Sequence, residues 1–96
     1  MKNEVGMVIK VCRKHCNFKQ DYVAFHLGLN VNSYANIENG RVDIGTGKLY
    51  ALAQLFGLKA HQILALAEEV IEYGEDQWIS SMVNQMIRKP ELSTSF

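Results

Sequence analysis

Apolar residues recur at helical spacing along most of this chain, and the breaks between them are made by glycine and asparagine. Val23, Ala24 and Leu27 form one set; Leu29, Tyr34 and Ile37 form the next, with Gly28 between them. This pattern predicts two short amphipathic helices on either side of a sharp turn. Gly28 can take positive φ, so one helix can stop there and another start at a steep angle. Asn30 is placed to cap the second of the two, and Asn39-Gly40 to end it, giving a helix over about 31–39.

The rest of the pattern extends the helical reading. A first helix fits about 5–16, with Val8 or Ile9 and Cys12 inward and Asn17 as a left-handed terminal residue. Phe18 then plugs the core, and the next helix begins near Gln20. Beyond a loop at 41–47, a helix at about 46–56 turns Leu49, Leu52, Ala53 and Phe56 inward and is closed by Gly57, with Leu58 as a second plug. Another helix at about 60–73 uses Ile63, Leu64, Ala67, Val70 and Ile71. After Gly74, the residues Trp78, Ile79, Met82, Val83, Met86 and Ile87 form one apolar stripe on a helix at about 75–88, which Pro90 stops. The expected class is all-α, a five-helix bundle with an additional C-terminal amphipathic helix.

Ninety-six residues at 48% hydrophobic content suffice for one small core. No apolar run approaches the roughly 18 to 20 residues of a membrane span, and the first residues do not resemble a secretory signal. A cytoplasmic protein is expected. The formal net charge is zero, but it is unevenly spread. Residues 1–63 carry eight Lys or Arg against four acids, and the remainder carries two against six. A mildly basic body with an acidic tail can bind phosphates locally, with little long-range attraction.

Cys12 and Cys16 lie four apart with His15 between them, which places two sulfurs toward one helix face. A zinc site needs a second pair of ligands, and the spacing offers none, so no metal and no cofactor are expected. Cys12 is read as a core residue and Cys16 as a free thiol. His15, His26 and His61 have no companion acid and nucleophile at suggestive spacing, and an enzyme is not expected. Tyr22 and Phe25 are read as core-edge residues, with a protein contact as the sharper alternative.

The 31–39 helix carries its chemistry on the face that packing does not need. Asn32 and Asn36 are four apart and so point the same way. An amide donates and accepts at once, as the N6 and N7 edge of adenine in a DNA major groove requires. Val31 suits a thymine methyl, and Ser33 a base, a phosphate or a cap. Lys19, Arg41 and Lys48 are candidate phosphate contacts, and the N–H groups around Gly45 to Gly47 add to the last two.

Taken in register, Gly6, Ile9, Arg13, Phe18, Gln20, Val23, Ala24, Leu27-Gly28, Ile37-Glu38, Gly40, Leu49, Leu52-Ala53, Leu55, Gly57-Leu58 and Ile63-Leu64 resemble the Cro/CI-type helix-turn-helix family, also called the XRE family. The resemblance runs without a gap over about 5–64. It implies five packed helices, the third lying in the major groove of double-stranded DNA, and a homodimer that reads a pseudo-palindrome as a transcription regulator, most often a repressor. It also implies that Gln20 holds a phosphate and buttresses the reading helix, and that Arg13 and Glu38 form a buried structural ion pair. Lys19 stands where relatives usually have a Thr or Ser cap, Ile44 where the loop commonly has proline, Tyr34 at an inward position usually Ile or Val, and Val31 where many have a polar residue.

On this reading, residues 1–66 form the DNA-binding domain, 67–90 a helical extension for dimerisation, and 91–96 a flexible tail. The stripe of Trp78, Ile79, Met82, Val83 and Met86 either folds back onto its own domain or pairs with its twin. Two reading heads must be held about 34 to 36 Å apart, which favours pairing. The competing reading is an antitoxin-like or accessory module whose tail grips a protein partner, with DNA binding secondary.

Overall fold

The computed structural model describes residues 1–74, which form α1 (Lys2–His15), α2 (Gln20–His26), α3 (Val31–Glu38), α4 (Thr46–Phe56) and α5 (Ala60–Tyr73). The stripe at Trp78, Ile79, Met82, Val83 and Met86 lies outside the described residues, as does the expected tail at 91–96. None of the described helices is long and apolar enough to cross a membrane.

The core joins all five helices. α1 packs on both α5 and α3, α2 packs on α3, and α4 packs on α5. Val8, Ile9 and Cys12 of α1 meet Val23, Tyr34, Leu52, Ile63 and Leu66, all fully buried. Phe18 is half-buried and stacks on Phe56 at 6.5 Å between ring centroids. α5 runs unbroken past residue 66, and Ala67 and Val70 belong to the same core as Ile63.

The turns follow from local chemistry. Asn17 takes φ 61° at the end of α1, and Gly57 takes φ 76° at the end of α4. Asn30 Oδ1 accepts from the Ser33 backbone N–H at 2.8 Å and so caps α3. Lys19 occupies the extended N-cap position of α2 without making a side-chain cap. Lys19→Ser is therefore expected to stabilise the fold by about 1 kcal/mol, read as a rise in the midpoint of urea unfolding.

Three expectations are corrected. α1 begins three residues earlier than the pattern indicates, because the Met1 carbonyl accepts from Val5 N at 2.9 Å and Val5 is buried. On α5, Leu64 and Ile71 are 41% and 58% exposed, while Leu66 is buried. The sequence there contains two overlapping apolar stripes, and packing against α1 selects the one that runs through Ile63, Leu66, Ala67 and Val70. Phe25 is no core-edge residue: it stands 79% exposed, while Tyr22 rests on Phe18 at 4.8 Å.

Cys12 is sealed in the core. Burial, with a smaller contribution from Cys16, pushes its thiol up to about 12, and burial also raises the half-buried Cys16. Such surroundings oppose the thiolate that metal binding or alkylation needs. In the folded protein, thiol reagents are expected to modify Cys16 first and Cys12 only on unfolding, a difference that mass spectrometry of labelled peptides reads directly.

Candidate nucleic-acid interface

α3 is held from behind by a buried polar cluster. Arg13 Nε donates to Glu38 Oε2 at 2.6 Å and Arg13 Nη2 to Glu38 Oε1 at 3.2 Å. The Tyr34 hydroxyl donates to Glu38 Oε2 at 2.5 Å, and Gln20 Nε2 donates to Glu38 Oε1 at 3.0 Å. Arg13 Nη1 reaches the Phe18 carbonyl at 2.8 Å, which ties in the connection between α1 and α2. One carboxylate thus gathers donors from three helices. Burial pushes the Glu38 carboxyl up, but the bonds from Arg13, Tyr34 and Gln20 and the nearby guanidinium charge outweigh it and hold the group below its ordinary range. Burial, with a further contribution from the same carboxylate, raises Tyr34, so its phenol stays neutral.

The cluster explains Tyr34, one of the departures seen in the sequence, and the orientation of Gln20. Tyr34 substitutes a hydroxyl for an aliphatic end because Glu38, one turn on, can accept it. Gln20 turns its side-chain nitrogen inward onto Glu38, which leaves its amide oxygen and the first-turn backbone N–H groups of α2 for an outside partner.

α1 approaches α3 closely at Gly6. A Cβ built there would strike the Ile37 carbonyl oxygen and lie 2.6 Å from the Glu38 carbonyl oxygen. Backbone therefore rests against backbone at the C-terminal end of α3.

With Tyr34, Ile37 and Glu38 turned into the core, α3 presents Val31 and Asn32 to solvent and leaves Ser33 and Asn36 half-buried. Ser33 and Asn36 form one wall of an open cleft of about 590 Å³, whose other wall carries Asp43, Gly47 and Lys48. No side chain caps α4, so its first-turn N–H groups stand open beside Lys48. Arg41 reaches Asn36, with Nη1 donating to Oδ1 at 3.4 Å. Of the residues singled out in the sequence, Ser33, Asn36 and Lys48 thus line this cleft, and Arg41 adjoins it through its contact with Asn36. Lys19 and Gln20 lie apart from it at the start of α2. Asp43 in the cleft wall was not anticipated.

The family described as helix-turn-helix domain matches residues 6–69. The chain belongs to that family. The matched helix-turn-helix span covers α2, α3 and the whole cluster that braces them. Among solved structures, the crystal structure of the clp gene regulator ClgR from Corynebacterium glutamicum is similar, with a TM-score of 0.71 over 99% of this chain and 95% of that chain. The two sequences are 14% identical, so the likeness speaks for a shared fold. No curated protein matches by sequence.

Proposed function

We propose that this helix-turn-helix protein is a sequence-specific DNA-binding transcription regulator, acting as a repressor and binding a pseudo-palindromic operator as a homodimer. The observation that carries the reading is α3: its inner face is locked by the Glu38 cluster, and its outer face holds Val31, Asn32, Ser33 and Asn36 clear of the core. Such a helix suits the major groove, where amides meet adenine edges and valine meets a thymine methyl. Gln20, Lys19, Arg41 and Lys48 supply the phosphate contacts. The regulatory role of ClgR, a protein of similar fold, supports the same reading. The stripe of Trp78, Ile79, Met82, Val83 and Met86 supplies the pairing between two copies.

Asn36→Ala tests the base-reading role. Discrimination between the operator and unrelated DNA should fall by roughly 1 to 3 kcal/mol while non-specific binding persists. An equal loss on every sequence would remove Asn36 from the reading set. A second reading, an antitoxin-like or accessory protein-interaction module, draws on the exposed Phe25 ring, which DNA recognition does not use. Under it, Phe25→Ser abolishes association with a partner protein and leaves DNA binding unchanged.

A further inference from the structure

α3 ends in a turn that brings two particular side chains together. Gly40 takes φ +75°, and its N–H donates to the Ile37 carbonyl at 3.1 Å. The N–H of Arg41 then donates to the Asn36 carbonyl at 2.9 Å. This crossed pair of bonds is the Schellman arrangement, which sets the residue after the left-handed glycine against the residue five earlier, normally through an apolar contact. Here the two residues are Arg41 and Asn36, and the contact is polar.

We propose that Arg41 is a positioning residue for base reading: the end of α3 delivers its guanidinium to Asn36 Oδ1 and fixes which end of that amide leads toward DNA. The inference rests on the DNA-reading role of α3 proposed above. A side-chain amide has two ends of nearly equal shape and opposite hydrogen-bonding sense. Left free, Asn36 could present either its oxygen or its N–H₂ group. A donor held against the oxygen removes that freedom and leaves the N–H₂ end to lead. That end donates to N7 of a purine, O6 of guanine or O4 of thymine, and meets the N4 donor of cytosine unfavourably. The 3.4 Å side-chain contact is long, but the backbone bonds between the same two residues keep the groups adjacent. Arg41 is exposed, so its removal leaves the core untouched.

The experiment measures binding of the full chain to operators carrying each of the four base pairs at the position where Asn36→Ala abolishes preference. The proteins compared are the unaltered one, Arg41→Ala and Lys48→Ala. With Arg41→Ala, discrimination against cytosine at that position is expected to fall about tenfold, while preferences elsewhere are kept. Lys48→Ala removes a cation from the same cleft without touching Asn36, and should weaken all four operators alike. If Arg41→Ala weakens all four operators by the same factor and leaves discrimination at that position intact, Arg41 is a phosphate contact only and the positioning role is overturned. If the unaltered protein shows no position that depends on Asn36, the reading role of α3 fails first, and the inference with it.

Discussion

Arg13→Met is expected to destabilise the protein by about 3 to 5 kcal/mol, because it strands the Glu38 carboxylate in the core. The Glu38 side chain is fully buried, and Arg13 supplies both its counter-charge and two of its bonds. Tyr34 and Gln20 remain as donors but carry no charge. Against a typical domain stability of about 5 to 15 kcal/mol, such a loss leaves little margin. Thermal melting should fall by more than about 10 °C. The double variant Arg13→Met, Glu38→Gln should recover part of the loss, since a neutral amide can still accept from Tyr34 and no longer needs a counter-charge. A double variant less stable than Arg13→Met would show that charge is not the issue.

The same cluster sets an acid limit. Glu38 is held below its ordinary range in the folded state, so the native protein binds fewer protons there than the unfolded chain. Its contribution is complete above about 4.3, the ordinary glutamate value, and is lost as pH falls through the lower folded-state value. Urea unfolding at pH 7 and at successively lower pH should show stability declining through this window, and the decline should be shallower in Glu38→Gln. Equal slopes in the two proteins would assign acid sensitivity elsewhere.

Gly6→Ala carries the second large effect, about 3 kcal/mol, at the upper end of what overpacking costs. The added methyl would press on the carbonyls of Ile37 and Glu38, and backbone cannot rotate away as a side chain can. Either α1 or α3 must move. Movement of α3 also tilts the surface proposed to read DNA, so DNA affinity should fall in the fraction that still folds. Gly47→Ala is the matched comparison: nothing lies within 4 Å of its missing Cβ, and the helical position predicts a gain of up to about 1 kcal/mol. If both variants melt alike, the close approach of α1 to α3 is not as tight as described.

Much of this architecture was legible in the residues. The limits of α4 and α5 follow from their apolar spacing and from Gly57, and the Asn30 cap and left-handed Asn17 follow from side-chain chemistry. Apolar periodicity failed on α5, where Leu64 and Leu66 compete for the core and only the position of α1 decides between them. The first turn of α1 was missed because Lys2, Asn3 and Glu4 carry no apolar signal. Within the candidate interface, the separation of Asn32 and Asn36 could be read from helical geometry alone. The inward turn of Gln20 onto Glu38 and the clasp of Arg41 on Asn36 could not, since each depends on where a distant or reversed segment lands.

Selection of bound duplexes from a random DNA library by the full-length protein tests the central claim most directly. Enrichment of a two-fold symmetric site is predicted, with half-site centres about 10 to 10.5 base pairs apart and base preferences that Asn32→Ala and Asn36→Ala erase at separate positions. Recovery of no preferred sequence, or of one that both variants select unchanged, would contradict it.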